Sequence, residues 1–205
     1  MELADGTIRA SLAAGMVGTT LFVVTFVLDG LTRPGYRPVR HAVSALALGR
    51  RGWLQTTNFV VCGLLVTAAA PGLWASAGGW PSLVVAVFGL ALVASGVFPM
   101  DPMRGYPPGT PEDTPETLSR SHHLHDYAGA VVFGSLPVAA LAAAFTLDSV
   151  GGALFSGATA GVLVVLTLWF GAAWERDSPR TGLIQRANIL VGWLWLAGLC
   201  WHLLP

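Results

Sequence analysis

His41, Ser44, Asp101 and His125 are the residues of this chain whose types suit proton transfer, hydrogen-bonded ligand recognition or metal coordination. His41 and Ser44 stand three apart in DGLTRPGYRPVRHAVSALALGRRG. Asp101 closes GVFPMD, and His125 opens HDYAG with Asp126 beside it. Arg40, Arg104 and Arg186 fall in the same gaps, where a guanidinium can clamp an anionic head group through two parallel hydrogen bonds. Asn58 is a neutral amide inside an apolar run and is expected to find a partner on another helix. Asp29 is expected to pair with an arginine.

Three chemistries compete for this set. Neutral imidazoles and a carboxylate are what zinc takes, and an open position would activate water. His41, Asp101 and His125 come from three separate segments, however, and His122-His123-x-His125 has no standard ligand spacing. Haem needs histidines facing each other at one depth, and His125 and His202 belong to opposite sides. No metal or cofactor is therefore expected. The third chemistry is acid–base catalysis or anion binding on a lipid or isoprenoid, with its head in the arginine layer and its tail between helices. Each residue also has a structural alternative: interfacial histidines and arginines snorkel or cap helix ends, and arginines attract anionic head groups in any case. Glu112, Asp113 and Glu116, set among prolines and threonines, read as a solvated acidic loop.

The elements that must position these residues follow from composition. The chain is 54% hydrophobic and 11% charged, against roughly 25% charged residues in a soluble domain, and its mean hydropathy is +0.64. Six uncharged runs, over 10–28, 53–73, 80–100, 127–147, 150–174 and 187–205, each approach the ~20 residues that cross a hydrocarbon core. Backbone groups find no water there, and the period-2 alternation of a barrel is absent, so the runs must be helices. The reading is all-α: one transmembrane domain of six helices over residues 1–205, with lipid bilayer as its surroundings.

Orientation comes from the arginines. Arg33, Arg37, Arg40, Arg50, Arg51, Arg104, Arg120, Arg176, Arg180 and Arg186 fall in alternate gaps, and only Arg9 lies on the other side. The positive-inside rule puts those gaps in the cytoplasm and both termini outside. Acidic Glu2 and Asp5 stand where a signal peptide is positive, so the first run is read as a retained helix. With zero net charge and no lysine, the chain offers no basic surface to nucleic acid. The arginine-only, alanine- and glycine-rich usage suits a GC-rich bacterial genome, which implies the bacterial inner membrane. Cys62 and Cys200 read as buried thiols.

Within the spans, Pro71 and Pro137 each remove a backbone hydrogen bond and are expected to kink their helices. Ser156, Gly157, Ala160 and Gly161 form a small-residue face expected to pack within the molecule. A helix over 39–48, starting behind Pro38, would lie along the interface before the second span and put His41 and Ser44 on one face.

At HAVSALALGRRGWLQTTNFVVCGLL, GVFPMDP, HHLHDYAGAVVFGSLPVAAL and GLIQRANIL the chain resembles the DUF998 family of six-helix bacterial membrane proteins, over nearly its whole length. The family pattern has His-x-x-Ser before the second helix, Phe-Pro-x-Asp after the third and His opening the fourth. The resemblance therefore selects His41 and Ser44, then Phe98, Pro99 and Asp101, then His125. The doubled His122-His123 and the insert PPGTPEDTPETLSR depart from the pattern. A looser similarity runs to the FRAG/DRAM/Sfk group of membrane proteins. The resemblance implies a fold and a choice of cluster, without a reaction.

The expected function is that of a membrane protein with a His/Ser/Asp/Arg pocket at the cytoplasmic interface, binding a lipid or isoprenoid. His41, Ser44, Asp101 and His125 are the candidate reacting groups; Arg40, Asn58, Arg104, Asp126 and Arg186 are the candidate ligand-holding ones. The alternative is a membrane-embedded enzyme performing acid-initiated cyclisation or metal-assisted lipid hydrolysis. A small transporter or a sensory protein ranks third, since the outer half offers little polar path beyond His202.

Overall fold

The computed structural model describes residues 2–205. Its helices are α1 (Glu2–Thr32), α2 (Gly52–Ala68), α3 (Ala70–Ala77), α4 (Gly79–Val97), α5 (Arg120–Thr146), α6 (Val150–Glu175) and α7 (Thr181–His202), with a 3-10 turn at Val43–Ala47 before α2. Among the described residues, six helical segments are long and apolar enough to cross a membrane, α2 and α3 together forming the second. Each span packs on its neighbours in sequence, and α7 returns to α1, so the six close into a ring.

Polar residues at the run boundaries are helical too, which lengthens several elements beyond their apolar cores. α5 starts at Arg120, where the Ser119 hydroxyl accepts from the His122 amide at 3.1 Å, a standard N-cap that satisfies one otherwise orphaned donor. α7 starts at Thr181, six residues before the apolar run.

The ring is filled by aromatic side chains. Phe22 stacks on Trp193 with centroids 4.2 Å apart, and Phe88 meets the same indole edge-on at 5.3 Å. Helices approach closely where side chains are missing: a Cβ on Gly63 would come within 2.6 Å of the Gly89 carbonyl oxygen, so α2 and α4 touch backbone to backbone. Such contact is how helices associate in a solvent as apolar as leucine.

The two expected proline effects differ. Pro71 lies at the start of α3, and the second span breaks at Ala69. The Ser11 hydroxyl donates to the Ala68 carbonyl at 2.6 Å and accepts from the Gly72 amide at 2.9 Å, while Ser82 donates to the Ala70 carbonyl at 2.6 Å. α5 instead runs unbroken through Pro137. The carbonyl that Pro137 leaves unpaired belongs to Phe133, and it accepts from Thr167 of α6 at 3.3 Å; Thr167 in turn accepts from Asn188 of α7 at 2.9 Å. Neighbouring helices thus re-satisfy the backbone, as the bilayer requires. In the small-residue face, Gly157 meets Ala144 of α5, whereas the Gly161 position faces open space.

The largest departure lies before the second span. The 3-10 turn covers only Val43–Ala47, and His41 precedes it, so His41 and Ser44 do not share a helix face. The cause is competition for backbone groups. The Val39 and Arg40 carbonyls accept from the Leu183 and Gly182 amides of α7 at 2.9 and 3.1 Å, and the Val43 amide donates to Gln185 Oε1 at 2.7 Å. Tertiary bonds have replaced the local ones. Val43, Ser44, Ala45 and Leu46 are buried, so the segment plugs the end of the ring instead of lying flat on it.

Candidate functional site

A cleft of about 380 Å³ lies between α5 and α6 at the arginine-rich end of the ring. Its width comes from glycine. Gly129 and Gly134 on α5 and Gly171 on α6 line it, and a Cβ at any of them would meet nothing within 4 Å. Phe133, Phe170 and Trp174 give it apolar walls, and it opens outward where Ala130 and Gly171 are exposed. The Phe133–Thr167–Asn188 relay runs along it, so the unbroken run of α5 through Pro137 and the cleft are one construction.

Ser44, His125 and Gln185 form the polar end of the cleft, and all three also line a void of about 40 Å³ inside the ring, above Phe22 and Trp193. His125 Nδ1 lies 2.8 Å from the Phe98 carbonyl and 3.1 Å from that of Ser95. Two carbonyl oxygens require an N–H between them, which puts a proton on Nδ1; in the neutral ring the lone pair is then on Nε2. Nε2 has no protein partner. Gln185 spends its oxygen on the Val43 amide and leaves its amide N–H groups unengaged. The Ser44 hydroxyl reaches only the Met100 sulfur, at 3.4 Å. One acceptor, one donor pair and one weakly held hydroxyl therefore converge on the cavity. Asp126 and Glu175 stand along the cleft.

His41 and Asp101 lie elsewhere. His41 Nδ1 accepts from the Arg37 amide at 3.0 Å, and its Nε2 lies 3.2 Å from the Arg104 carbonyl, so both ring nitrogens are engaged by backbone of the first and second arginine-bearing loops. Burial holds its pKa below the ordinary 6.5 against the raising effect of the Arg104 carbonyl, with Arg37 and Arg40 adding to the depression. Asp101 accepts from the Ser119 amide and hydroxyl, both at 2.7 Å, and its own amide donates to His122 Nδ1 at 2.9 Å. Although burial pulls the other way, the bonds from Ser119 hold this carboxyl below its usual range. Asp101 thereby clamps the start of α5.

The arginines are committed as well. Arg186 Nη1 donates to the carbonyls of Pro38, His41 and Gly182 and Nη2 to the Tyr36 hydroxyl; burial lifts that phenol to about 12 despite the arginine, so it stays protonated. Arg40 pairs with Glu112 at 3.0 Å, and Arg104 with Asp177 at 3.1 Å. Arg104 also donates to the Trp174 carbonyl at 2.9 Å and covers its ring at 4.2 Å. Arg104 Nη1 and Arg40 Nε remain buried without a partner beside a void of about 10 Å³, space for a single water. Asn58 donates to the Phe22 carbonyl of α1 at 3.1 Å, the interhelical partner expected of it. Asp29 pairs with both Arg33 and Arg51. Asp126 meets His122 Nε2 at 3.3 Å.

Gln185 and Thr167 carry no mark in the sequence that singles them out as site residues. Gln185 sits just outside the uncharged run, in a stretch whose charges and proline favour a loop; the one signal is an amide one helical turn after Thr181. Thr167 lies four residues from Gly171 in a run of leucine and valine, with nothing to mark it. Among the described residues, no three histidine, cysteine, aspartate or glutamate side chains are grouped to hold a metal.

Fold and cleft define an all-α, six-span membrane protein with a laterally open cavity. The chain belongs to the DUF998 family, described as a protein of unknown function, whose model matches residues 16–202. No curated protein and no solved structure matches it.

Proposed function

We propose that this protein binds a membrane amphiphile, a lipid or an isoprenoid, whose tail enters the cleft from the bilayer between α5 and α6. Its polar head meets Ser44, His125 and Gln185. The carrying observation is that these three line both cavities and hold unpaired hydrogen-bonding capacity, whereas buried polar groups are ordinarily satisfied within a protein. His41, Asp101, Arg40, Arg104 and Arg186 act in this reading by holding the loop that carries Ser44 and the start of α5, which carries His125. The arginine-rich end faces the cytoplasm of a bacterial inner membrane, in keeping with the positive-inside rule.

Native mass spectrometry of the purified full chain tests this. Gly134→Leu fills the cleft where a Cβ meets nothing, so wild type should carry lipid that the variant loses at unchanged thermal stability. Equal lipid in both would sink the reading. Orientation is read by labelling Asp113→Cys in intact cells, since Cys62 and Cys200 are buried; reaction with an impermeant reagent would reverse the topology.

A second reading, an enzyme, is favoured by one observation. His125 presents a lone pair to a cavity that also holds a serine hydroxyl, which suits a base-assisted attack better than acid-initiated cyclisation. Covalent labelling of Ser44 by a fluorophosphonate, lost in His125→Asn, is its expected sign; an unlabelled Ser44 removes it.

A further inference from the structure

The cleft's hydrogen-bonding inventory and its charge both bear on which amphiphile fits. Resting on the reading of the cleft as an amphiphile site, we infer that it selects uncharged heads bearing a hydroxyl and rejects phosphate-bearing ones. The first ground is complementarity. His125 Nε2 accepts one hydrogen bond, the Gln185 amide donates, and the Ser44 hydroxyl does either. An alcohol matches that set, its O–H donating to Nε2 while its oxygen accepts from the Gln185 amide; a dianionic phosphate presents only acceptors and leaves Nε2 facing a lone pair.

The second ground is charge. Among the cleft's lining residues there is no arginine, and the two charged groups are Asp126 and Glu175. Arg104 is the guanidinium beside this wall, through Trp174. It is held by Asp177 at 3.1 Å and by the Trp174 carbonyl at 2.9 Å, lies over the indole at 4.2 Å, and is within electrostatic reach of Glu175. Arg40 and Arg186 are bound to Glu112 and to backbone carbonyls. A phosphate entering between α5 and α6 meets the carboxylates of Asp126 and Glu175 with no arginine in the lining to offset them, a repulsive element of the kind that sets specificity.

The test uses two pairs of probes, each sharing a tail: farnesol against farnesyl phosphate, and monoolein against 1-oleoyl lysophosphatidic acid. Binding to the full chain in detergent is read by native mass spectrometry at pH 8, with Gly134→Leu as the blocked control. The neutral member of at least one pair should bind about tenfold more tightly than its phosphate partner, and Gly134→Leu should abolish that binding. Asp126→Asn with Glu175→Gln should tighten the phosphate member by about tenfold and leave the neutral one unchanged. Phosphate members binding as tightly as neutral ones overturn the selectivity and leave the amphiphile reading standing. Binding of every probe that ignores Gly134→Leu, or no binding at all, removes the cleft as an amphiphile site and this inference with it.

Discussion

Around Arg186 and around His125 the chain uses the same kinds of polar group to opposite ends. In the first region the guanidinium, the Tyr36 hydroxyl, both nitrogens of His41 and the carbonyls between them are joined to one another. In the second, His125, Gln185 and Ser44 each commit one side to the protein and leave the other facing a cavity. Satisfied networks hold shape, and groups fixed on one side but open on the other are arranged to meet something else. Residue type alone does not separate the two.

The contrast is sharpest where the holding network is cut. Arg33 is buried against Asp29 and also donates to the Leu46 and Arg51 carbonyls, both at 3.0 Å. Arg33→Ala should cost about 3–5 kcal/mol, because it removes the buried one of the two guanidiniums that neutralise Asp29 and leaves the Leu46 carbonyl without its donor, with Arg33→Lys recovering only part; unfolding midpoints in detergent measure this. A loss below about 1 kcal/mol would mean the network does not hold the loops.

His125→Asn cuts the other region. Asparagine can keep the donor to the Phe98 carbonyl and deletes Nε2, so stability should move by about 1 kcal/mol or less. Retention of the bound amphiphile should fall about tenfold. A variant that unfolds while still carrying lipid would reverse the assignment of the two regions.

A smaller effect separates His41 by pH. Its folded pKa lies below the ordinary 6.5, so the fold favours the neutral ring. The stability it adds is present above that value and lost as pH falls through the folded pKa. Unfolding midpoints should therefore decline on acidification below about 6.5, and His41→Gln should flatten that decline. An unchanged slope would show that His41 is not what senses the acid. Smallest of all, Glu112→Gln should change stability by about 0.5 kcal/mol or less, since its pairs with Arg37 and Arg40 lie at the surface; a larger, salt-sensitive change would extend the holding network outward.

Much of this architecture is written in the chain at a coarse scale. Hydrocarbon length marks all six spans, and the partners of Asp29 and Asn58 follow from the cost of stranding a polar group in lipid. Ser44 and His125 could be singled out as chemically capable residues near one interface. What stays hidden is how each hydrogen-bonding side is spent. His41 looks as reactive as His125 until its second nitrogen is seen to meet the Arg104 carbonyl. Asp101 looks like a proton donor until Ser119 folds over it. Gln185 stays out of view because the start of α7 is fixed by contact with a loop some 140 residues earlier, not by local sequence.

That contact has a consequence for how the protein is made. The Val39 and Arg40 carbonyls and the Val43 amide find their partners only on Gly182, Leu183 and Gln185, which are synthesised after the other five spans. Until then the ring is open and the first loop is chemically unfinished. Closing of the cavity and completion of the chain therefore coincide: a half-made copy holds Ser44 and His125 but lacks the last helix that gives them a third partner and an end wall.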